Sequence, residues 1–321
     1  MRYLLTGAAG FIGSNFAKQL VGDNQAGCDR ITVIDNLTYA GNPENLASIT
    51  DPRIEFVKGD ICDHQLVGGL MTNQDIVIHF AAESHVDRSI SGPSEFVQTN
   101  VMGTQVLLDA VRSNPKVRFV HVSTDEVYGS IDNGSWDESY PLVPNSPYSA
   151  SKASSDLLAL AYARTYNLDI VVTRCCNNYG PNQFPEKMIP LFVTNLMEGK
   201  RVPLYGDGQN VREWIHVEDH CRAIWDVAQN GKSGEVYNIG SGVELTNLEL
   251  THMILAEFGY GEEMIERVSD RLNHDRRYSL NSSKIESELG WKPQHNFEEG
   301  IKSTIDWYRN NRSWWEPLKS R

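Results

Sequence analysis

Tyr3-Leu4-Leu5-Thr6-Gly7-Ala8-Ala9-Gly10-Phe11-Ile12-Gly13 decides the fold. A short apolar run enters a GxxGxxG turn that opens a helix. Glycine is needed there because the backbone takes positive φ and approaches a pyrophosphate, which then lies at the positive end of the helix. Gly7, Gly10 and Gly13 are the candidates for that contact, although a glycine-rich turn can also be purely structural. A second apolar run ends at Asp35, about twenty residues beyond the last glycine, where a carboxylate accepts hydrogen bonds from adenosine ribose hydroxyls. Asn36-Leu37-Thr38 follows, with no arginine immediately at hand to neutralise a 2′-phosphate, so NAD is expected rather than NADP. After a third run, Asp60-Ile61 suits an adenine-edge contact; the alternative is a loop aspartate capping a helix.

Outward from this unit, β-branched runs at Tyr3 to Thr6, Ile31 to Asp35, Ile54 to Lys58, Ile76 to His79, Phe119 to Ser123 and Ile170 to Arg174 alternate with longer amphipathic stretches. The alternation predicts an α/β fold with a Rossmann-type doubly wound parallel sheet. Ser94 to Ser113 and Tyr148 to Asn167 are the strongest helices. After Asn177-Asn178-Tyr179-Gly180-Pro181 the rhythm gives way to Pro- and Gly-rich loops. Residues 1–180 are therefore expected to form the dinucleotide domain, and 181–210 with 241–321 a smaller α/β lobe. Residues 211–240 are expected to return to the first domain, as a strand at Trp214 to Val217 and a helix at Glu218 to Gln229.

A chain of 321 residues, 40% hydrophobic and 22% charged, buries a large core. Its formal net charge of -13 opposes binding to nucleic acid, which needs clustered Lys and Arg. No apolar run approaches the roughly 18 residues of a membrane span, and Met1 leads directly into the first strand, so a cytosolic protein without a membrane partner is expected. Cys28, Cys62, Cys175, Cys176 and Cys221 form no CxxC or Cys/His metal spacing, and no metal is expected.

Tyr148 and Lys152 lie at i and i+4, which presents a phenol beside an ammonium on one helix face and favours the phenolate as a base. On an arbitrary helix this spacing is a solvated face; a preceding dinucleotide loop makes it chemical. Thr124-Asp125-Glu126 leaves a strand at the edge where α/β sheets place ligands. Adjacent acids there either cap a helix or divide an elimination, one removing a carbon-bound proton and the other protonating the departing hydroxyl.

Several long stretches carry a resemblance: TGAAGFIGS at Thr6 to Ser14, LTYAGN at Leu37 to Asn42, AAESHVDRSI at Ala81 to Ile90, STDEVYGS at Ser123 to Ser130 and PYSASKASSD at Pro147 to Asp156. NNYGPNQFPEKMIP at Asn177 to Pro190, PLYGDGQNVREWIHVEDH at Pro203 to His220 and ELGWKP at Glu288 to Pro293 continue it through nearly the whole chain. In these the sequence resembles the extended short-chain dehydrogenase/reductase family, of the NAD-dependent epimerase/dehydratase type. Related epimerases carry a small or apolar residue at the acid pair, and GDP-mannose dehydratases place Ser before the glutamate. Asp125-Glu126 points instead to the nucleotide-sugar 4,6-dehydratases that take dTDP-glucose.

The resemblance implies oxidation at carbon 4 by Tyr148 with NAD, removal of the carbon-5 proton by Glu126, and protonation of the carbon-6 hydroxyl by Asp125. Thr124 would hold the carbon-4 oxygen and Lys152 the nicotinamide ribose. It assigns Phe11, Ile12, Asp35, Asn36, Leu37, Thr38, Asp60, Ile61, Ala81, Ala82, Thr99, Tyr148, Lys152 and Asn178 to NAD. To the nucleotide sugar it assigns Ser84, Thr124, Asn177, Lys187, Met188, Ile189, Pro203, Tyr205, Arg212, Asn247, Arg271 and His274, with Lys187 and Arg212 serving its diphosphate. It also implies a homodimer joined through helices of the first domain. Where the family reads Asp-Arg-Pro-Gly-His, this chain has Asp270-Arg271-Leu272-Asn273-His274, and a Pro-Gly turn does not carry over to Leu-Asn. That departure leaves a UDP- or CDP-hexose as the alternative substrate. A module that binds NAD or a nucleotide sugar without turnover is the reading from another class.

Overall fold

The computed structural model describes residues 1–22 and 27–320. Strands β1 (Arg2–Thr6), β2 (Arg30–Asp35), β3 (Ile54–Lys58), β4 (Ile76–His79), β5 (Arg118–Thr124) and β6 (Ile170–Cys175) match the predicted runs to within a residue. They are followed by β7 (Asn177–Tyr179), β8 (Val202–Tyr205), β9 (Val211–His216), β10 (Val236–Ile239), β11 (Glu244–Thr246) and β12 (Ile265–Val268). Seven strands form one sheet in the order β10-β6-β5-β4-β1-β2-β3. Every neighbouring pair in it is parallel. The order reverses between β1 and β4, which opens a crevice at their carboxyl ends.

Both faces of this sheet are covered, which is why its strands read as continuous apolar runs rather than as an alternation. Tyr3, Leu5, Ile31 and Val33 face Phe16 and Leu20 of helix Phe11–Gly22 and Ile224 and Val227 of helix Val217–Asn230. Leu4, Ile34, Val77 and Phe119 face the other way, onto Leu107 and Val111 of helix Thr104–Ser113 and Ala159 and Leu160 of helix Pro147–Tyr166. Successive residues of one strand thus feed two separate cores.

A third core belongs to the remaining elements. Helices Met188–Met197, Asn247–Phe258 and Phe297–Asn310 pack around the sheets β11-β9-β7 and β12-β8. The predicted strand at Trp214 to Val217 begins earlier, at Val211, and joins β7 and β11 rather than the large sheet. The helix after it and β10 do pack on the large sheet.

The helix predicted over Ser94 to Ser113 is interrupted. It runs as Pro93–Phe96, a π-helical stretch Val97–Gly103, and Thr104–Ser113. Within the wide turn, Asn100 is buried; its Oδ1 accepts from the Glu83 N–H at 2.9 Å, and its amide donates to Glu83 O at 3.0 Å and Ser151 Oγ at 2.8 Å. Single π turns recur at functional sites because they aim one side chain out of helical register. Among the described residues, no helix is long and apolar enough to cross a membrane.

Candidate active site

A cleft of about 340 Å³ follows the crevice at the ends of β1, β4 and β5. Its floor is backbone. Gly7 has φ of 70°, and a Cβ there would stand 2.5 Å from Ala81 Cα. A Cβ at Gly13 would stand 2.7 Å from Ala8 Cα, and one at Gly10 3.1 Å from Gly7 O. Any side chain would push the turn off the β4 loop or the helix off the turn. The bare floor at the start of helix Phe11–Gly22 fits a pyrophosphate. Phe11 and Ile12 line it.

Asp35 has a second task that the sequence does not show. Its Oδ2 accepts from the Ala9 N–H at 2.9 Å and its Oδ1 from the Leu37 N–H at 2.8 Å, so one carboxylate ties the glycine turn to the loop after β2. Leu37 takes φ of 57° to make that bond and does not line the cleft. Asn36, Thr38, Asp60, Ile61, Ala81, Ala82, Thr99 and Asn178 do line it. The Asn36 amide donates to Asp60 Oδ2 at 3.1 Å, and the Thr38 hydroxyl to Glu83 Oε1 at 3.0 Å. Among the described residues no arginine lines the cleft, and carboxylates surround its ribose end, so the donor set suits an unphosphorylated dinucleotide such as NAD.

At the reacting end, Thr124 caps the 3₁₀ turn Asp125–Tyr128: its Oγ1 accepts from the Glu126 N–H at 3.3 Å and donates to Asp125 Oδ1 at 3.1 Å. Asp125 is buried and its Oδ2 has no partner. Burial, and then the nearby Glu126 and Glu213 carboxylates, hold its carboxyl well above the usual carboxylate range. Glu126 is also raised by burial, but Lys187 and Arg212 oppose that shift, and Ser149 Oγ donates to Glu126 Oε2 at 3.3 Å. Two adjacent carboxyls in unequal surroundings are suited to be an acid and a base.

Helix Pro147–Tyr166 starts where Ser146 Oγ accepts from the Ser149 N–H, with proline in its first turn. This places Tyr148 and Lys152 on the buried side, both lining the cleft. Lys152 Nζ donates to Val122 O at 2.8 Å, and burial lowers its pKa to about 8. The Tyr148 phenol is pushed well up, by burial first and then by Glu126, Cys175 and Asp125. The expectation that the helix pair alone favours the phenolate is therefore corrected: Lys152 is turned to the β5 backbone, and the neighbouring acids oppose ionisation.

Of the residues assigned to the nucleotide sugar, Ser84, Thr124, Asn177, Lys187, Met188 and Ile189 line the cleft. Pro203, Tyr205, Arg212, Asn247, Arg271 and His274 lie beyond it, on and around the second lobe. Lys187 Nζ donates to Ser84 O at 2.8 Å. Buried Arg212 donates to Val211 O at 2.7 Å and Asp275 O at 2.9 Å, and its guanidinium lies 4.1 Å from the Tyr278 ring centroid. A desolvated guanidinium held by carbonyls and a ring is prepared for an anion. Arg271 differs: it grips Asp87 through two bonds of 2.5 and 2.9 Å and lies 5.3 Å from the Tyr205 ring centroid. His274 Nδ1 pairs with Asp270 at 2.7 Å. In the departing loop, Leu272 is 76% exposed, while Asn273 supplies the left-handed turn at φ of 49° and donates to Asn145 O at 3.1 Å. Asn is the residue after Gly that tolerates this conformation best.

Tyr39, Glu83, Gln183, Phe184, Glu186 and Trp214 also line the cleft and escaped the sequence reading. Most stand in loops, where no periodicity marks an inward face; the motif strings holding Glu83 and Phe184 were the available signal. Cys176 lines it too, and burial pushes its thiol well up, as befits a packed, unreactive residue.

Comparison with known proteins agrees with this geometry. The sequence model of the GDP-mannose 4,6 dehydratase family matches residues 4–304. A dTDP-glucose 4,6-dehydratase of Streptomyces antibioticus is 60% identical over 100% of this chain and 96% of its own length. A crystal structure of the dTDP-glucose 4,6-dehydratase of Streptomyces venezuelae, with NAD and TYD bound, superposes with a TM-score of 0.97 at 58% identity, covering 99% of this chain and 100% of that one. That of Bacillus anthracis, in complex with NAD, gives 0.92 at 49% identity, covering 99% of each. The chain belongs to the GDP-mannose 4,6 dehydratase family, and within it stands with the dTDP-glucose 4,6-dehydratases.

Proposed function

We propose that the chain converts dTDP-glucose to dTDP-4-keto-6-deoxyglucose and water. The observation that carries this reading is the unequal carboxyl pair: Asp125 buried, raised and with a free oxygen, Glu126 beside it under the opposing pull of Lys187. Tyr148 takes the proton of the carbon-4 hydroxyl, whose oxygen Thr124 holds by a hydrogen bond. Oxidation there acidifies the carbon-5 proton, which Glu126 removes. Asp125 gives its proton to the carbon-6 hydroxyl, which leaves as water, and Glu126 returns a proton to carbon 5 as carbon 6 is reduced. NAD, when bound, supplies the hydride acceptor for carbon 4, the donor for carbon 6, and a positive charge that favours the Tyr148 phenolate. The glycine turn, Asp35 and Lys152 would hold it. Lys187 and Arg212 bind the diphosphate, and the loop from Asp270 to His274 faces the nucleotide.

Residues 1–180 with 217–240 carry the cofactor in this reading, and 181–216 with 241–321 the nucleotide sugar. The working form is a cytosolic homodimer. In support, all five cysteines are free, and helix residues Val97, Met102, Leu157 and Tyr166 of the first lobe are exposed. The decisive experiment incubates the purified protein with dTDP-glucose and follows the 4-keto-6-deoxy product without added cofactor turnover. Absence of product from NAD-loaded protein overturns the reading, and preference for UDP- or CDP-glucose in a parallel panel reassigns the base.

A further inference from the structure

We infer that Tyr128, Arg174 and Asp156 form a buried clamp that sets the distance between the Asp125–Glu126 turn and the Tyr148–Lys152 helix. The inference rests on the dehydration proposed above, and none of the three residues lines the cleft. They are positioning residues.

The connection is continuous from one reactive element to the other. Tyr128 closes the same 3₁₀ turn that begins with Asp125. Its hydroxyl accepts from Arg174 Nη1 at 2.7 Å and donates to Asn238 Oδ1 at 2.9 Å. Its ring stacks on Trp136 at 5.2 Å, which fixes the plane in which the hydroxyl points. Arg174, in β6, donates from Nε to Asp156 Oδ2 at 2.8 Å, with side-chain exposures of only 4% and 0%. Asp156 lies at i+4 from Lys152 and i+8 from Tyr148, on the same inward face of helix Pro147–Tyr166. His121 Nε2, in β5, lies 3.3 Å from the other oxygen of that carboxylate.

Stability does not account for such an arrangement. A buried ion pair is costly to desolvate, and well-packed apolar residues often serve a core equally well or better. Geometry does account for it. Tyr148 must reach the carbon-4 oxygen while Glu126 reaches carbon 5 and Asp125 the carbon-6 oxygen, and the first belongs to a helix while the other two belong to a turn. Lys152 anchors the helix to β5 independently, through Val122 O. Loosening the clamp therefore displaces the acids more than the phenol, and slows elimination more than oxidation.

The test is Tyr128→Phe in the full-length enzyme, with Arg174→Lys as a second variant that keeps the charge but loses the fork joining Asp156 to Tyr128. A misplacement of an ångström costs on the order of a hundredfold in rate; the expectation here is a fall in kcat of about tenfold or more with KM unchanged within about twofold. The signature is spectroscopic: because oxidation then outpaces elimination, reduced nicotinamide accumulates in the near-ultraviolet during turnover, and solvent deuterium enters carbon 5 more slowly. Melting temperature and circular dichroism identify a variant that has not folded, in which case the other variant gives the answer. Wild-type kcat in a folded variant, or equal loss of oxidation and elimination with no reduced cofactor, overturns the clamp alone. A wild-type protein that forms no keto sugar overturns the parent reading and the clamp with it.

Discussion

Asp125 and Glu126 are neighbours in sequence and unlike in chemistry, and nothing in their order reveals the difference. The pair was legible as two acids at a strand exit, and its proposed division of labour came from the family resemblance; the unequal surroundings that support that division were not legible, because they depend on what faces each carboxyl. Burial raises both, and Arg212 opposes the rise at both; Glu126 and Glu213, the latter from a distant strand, raise Asp125 further, while Lys187 opposes the rise at Glu126. At Glu126→Gln, kcat is expected to fall by roughly 10²–10⁴, the usual contribution of a positioned proton-transfer group, with the fold unchanged. Product formation together with deuterium uptake at carbon 5 checks this, and an unimpaired variant would remove Glu126 from the base role. Tyr148 and Lys152 make the same point: i and i+4 put them on one face, but only the packed structure shows Lys152 directed to a backbone carbonyl.

Among the elements, the loop after β12 shows how an atypical sequence meets a family's geometry. Asn273 holds φ of 49° and so does without glycine. Asn273→Gly is therefore expected to be nearly neutral, whereas Asn273→Val should cost about 1–2 kcal/mol, the penalty of a left-handed conformation in a residue with a Cβ branch. Chemical denaturation of the two variants side by side checks the difference, and equal stabilities would refute it. A second element-level device joins helix Val217–Asn230 to the segment before helix Phe297–Asn310. There His295 bonds Asp219 and Glu218 at 3.1 Å each and stacks on His216 at 4.0 Å. His216, Glu218 and His295 bring ligand-type atoms within 4.8 Å, but the rings are only 21° from parallel, so one ion cannot lie in both ring planes, and the cluster reads as a clasp. The two carboxylates raise His295 from 6.5 to about 9. A folded pKa above the unfolded one stabilises fully below 6.5 and loses that stabilisation as pH rises through about 9. Wild-type melting temperature should accordingly fall more between these pH values than that of His295→Gln; parallel profiles would contradict the clasp. The π turn was invisible beforehand, since Val97 to Gly103 has ordinary helical composition and only the fixing of Asn100 against Glu83 and Ser151 explains the widened register.

For the whole molecule, the last helical turns reach back to the beginning of the chain. Trp315 is fully buried and donates to Tyr308 O at 2.8 Å; Trp314 donates to Asn45 Oδ1 at 2.9 Å, and the Asn45 amide donates to Ala9 O in the glycine turn at 2.8 Å. Trp315→Ala should cost about 3–5 kcal/mol, measurable by denaturant unfolding. In the proposed dimer, Leu157→Glu should shift sedimentation toward the monomer, since Leu157 is 57% exposed on a helix of the first lobe; an unchanged dimer would place the interface elsewhere. The sequence alone was sufficient for the parallel sheet, the glycine turn, and the candidates Asp35, Thr124, Asp125, Glu126, Tyr148 and Lys152 that the fold brings to one cleft. Each of these is a local signal: a period, a turn that only glycine can make, or a spacing on one helix. Only the tertiary structure decided that Val211–His216 belongs to the second lobe's sheet, that Arg212 is held by carbonyls while Arg271 is paired with Asp87, and that burial holds the Asp125 carboxyl well above the usual carboxylate range. Burial, charge partners and strand neighbours come from residues far apart in the chain, and no reading of adjacent residues contains them.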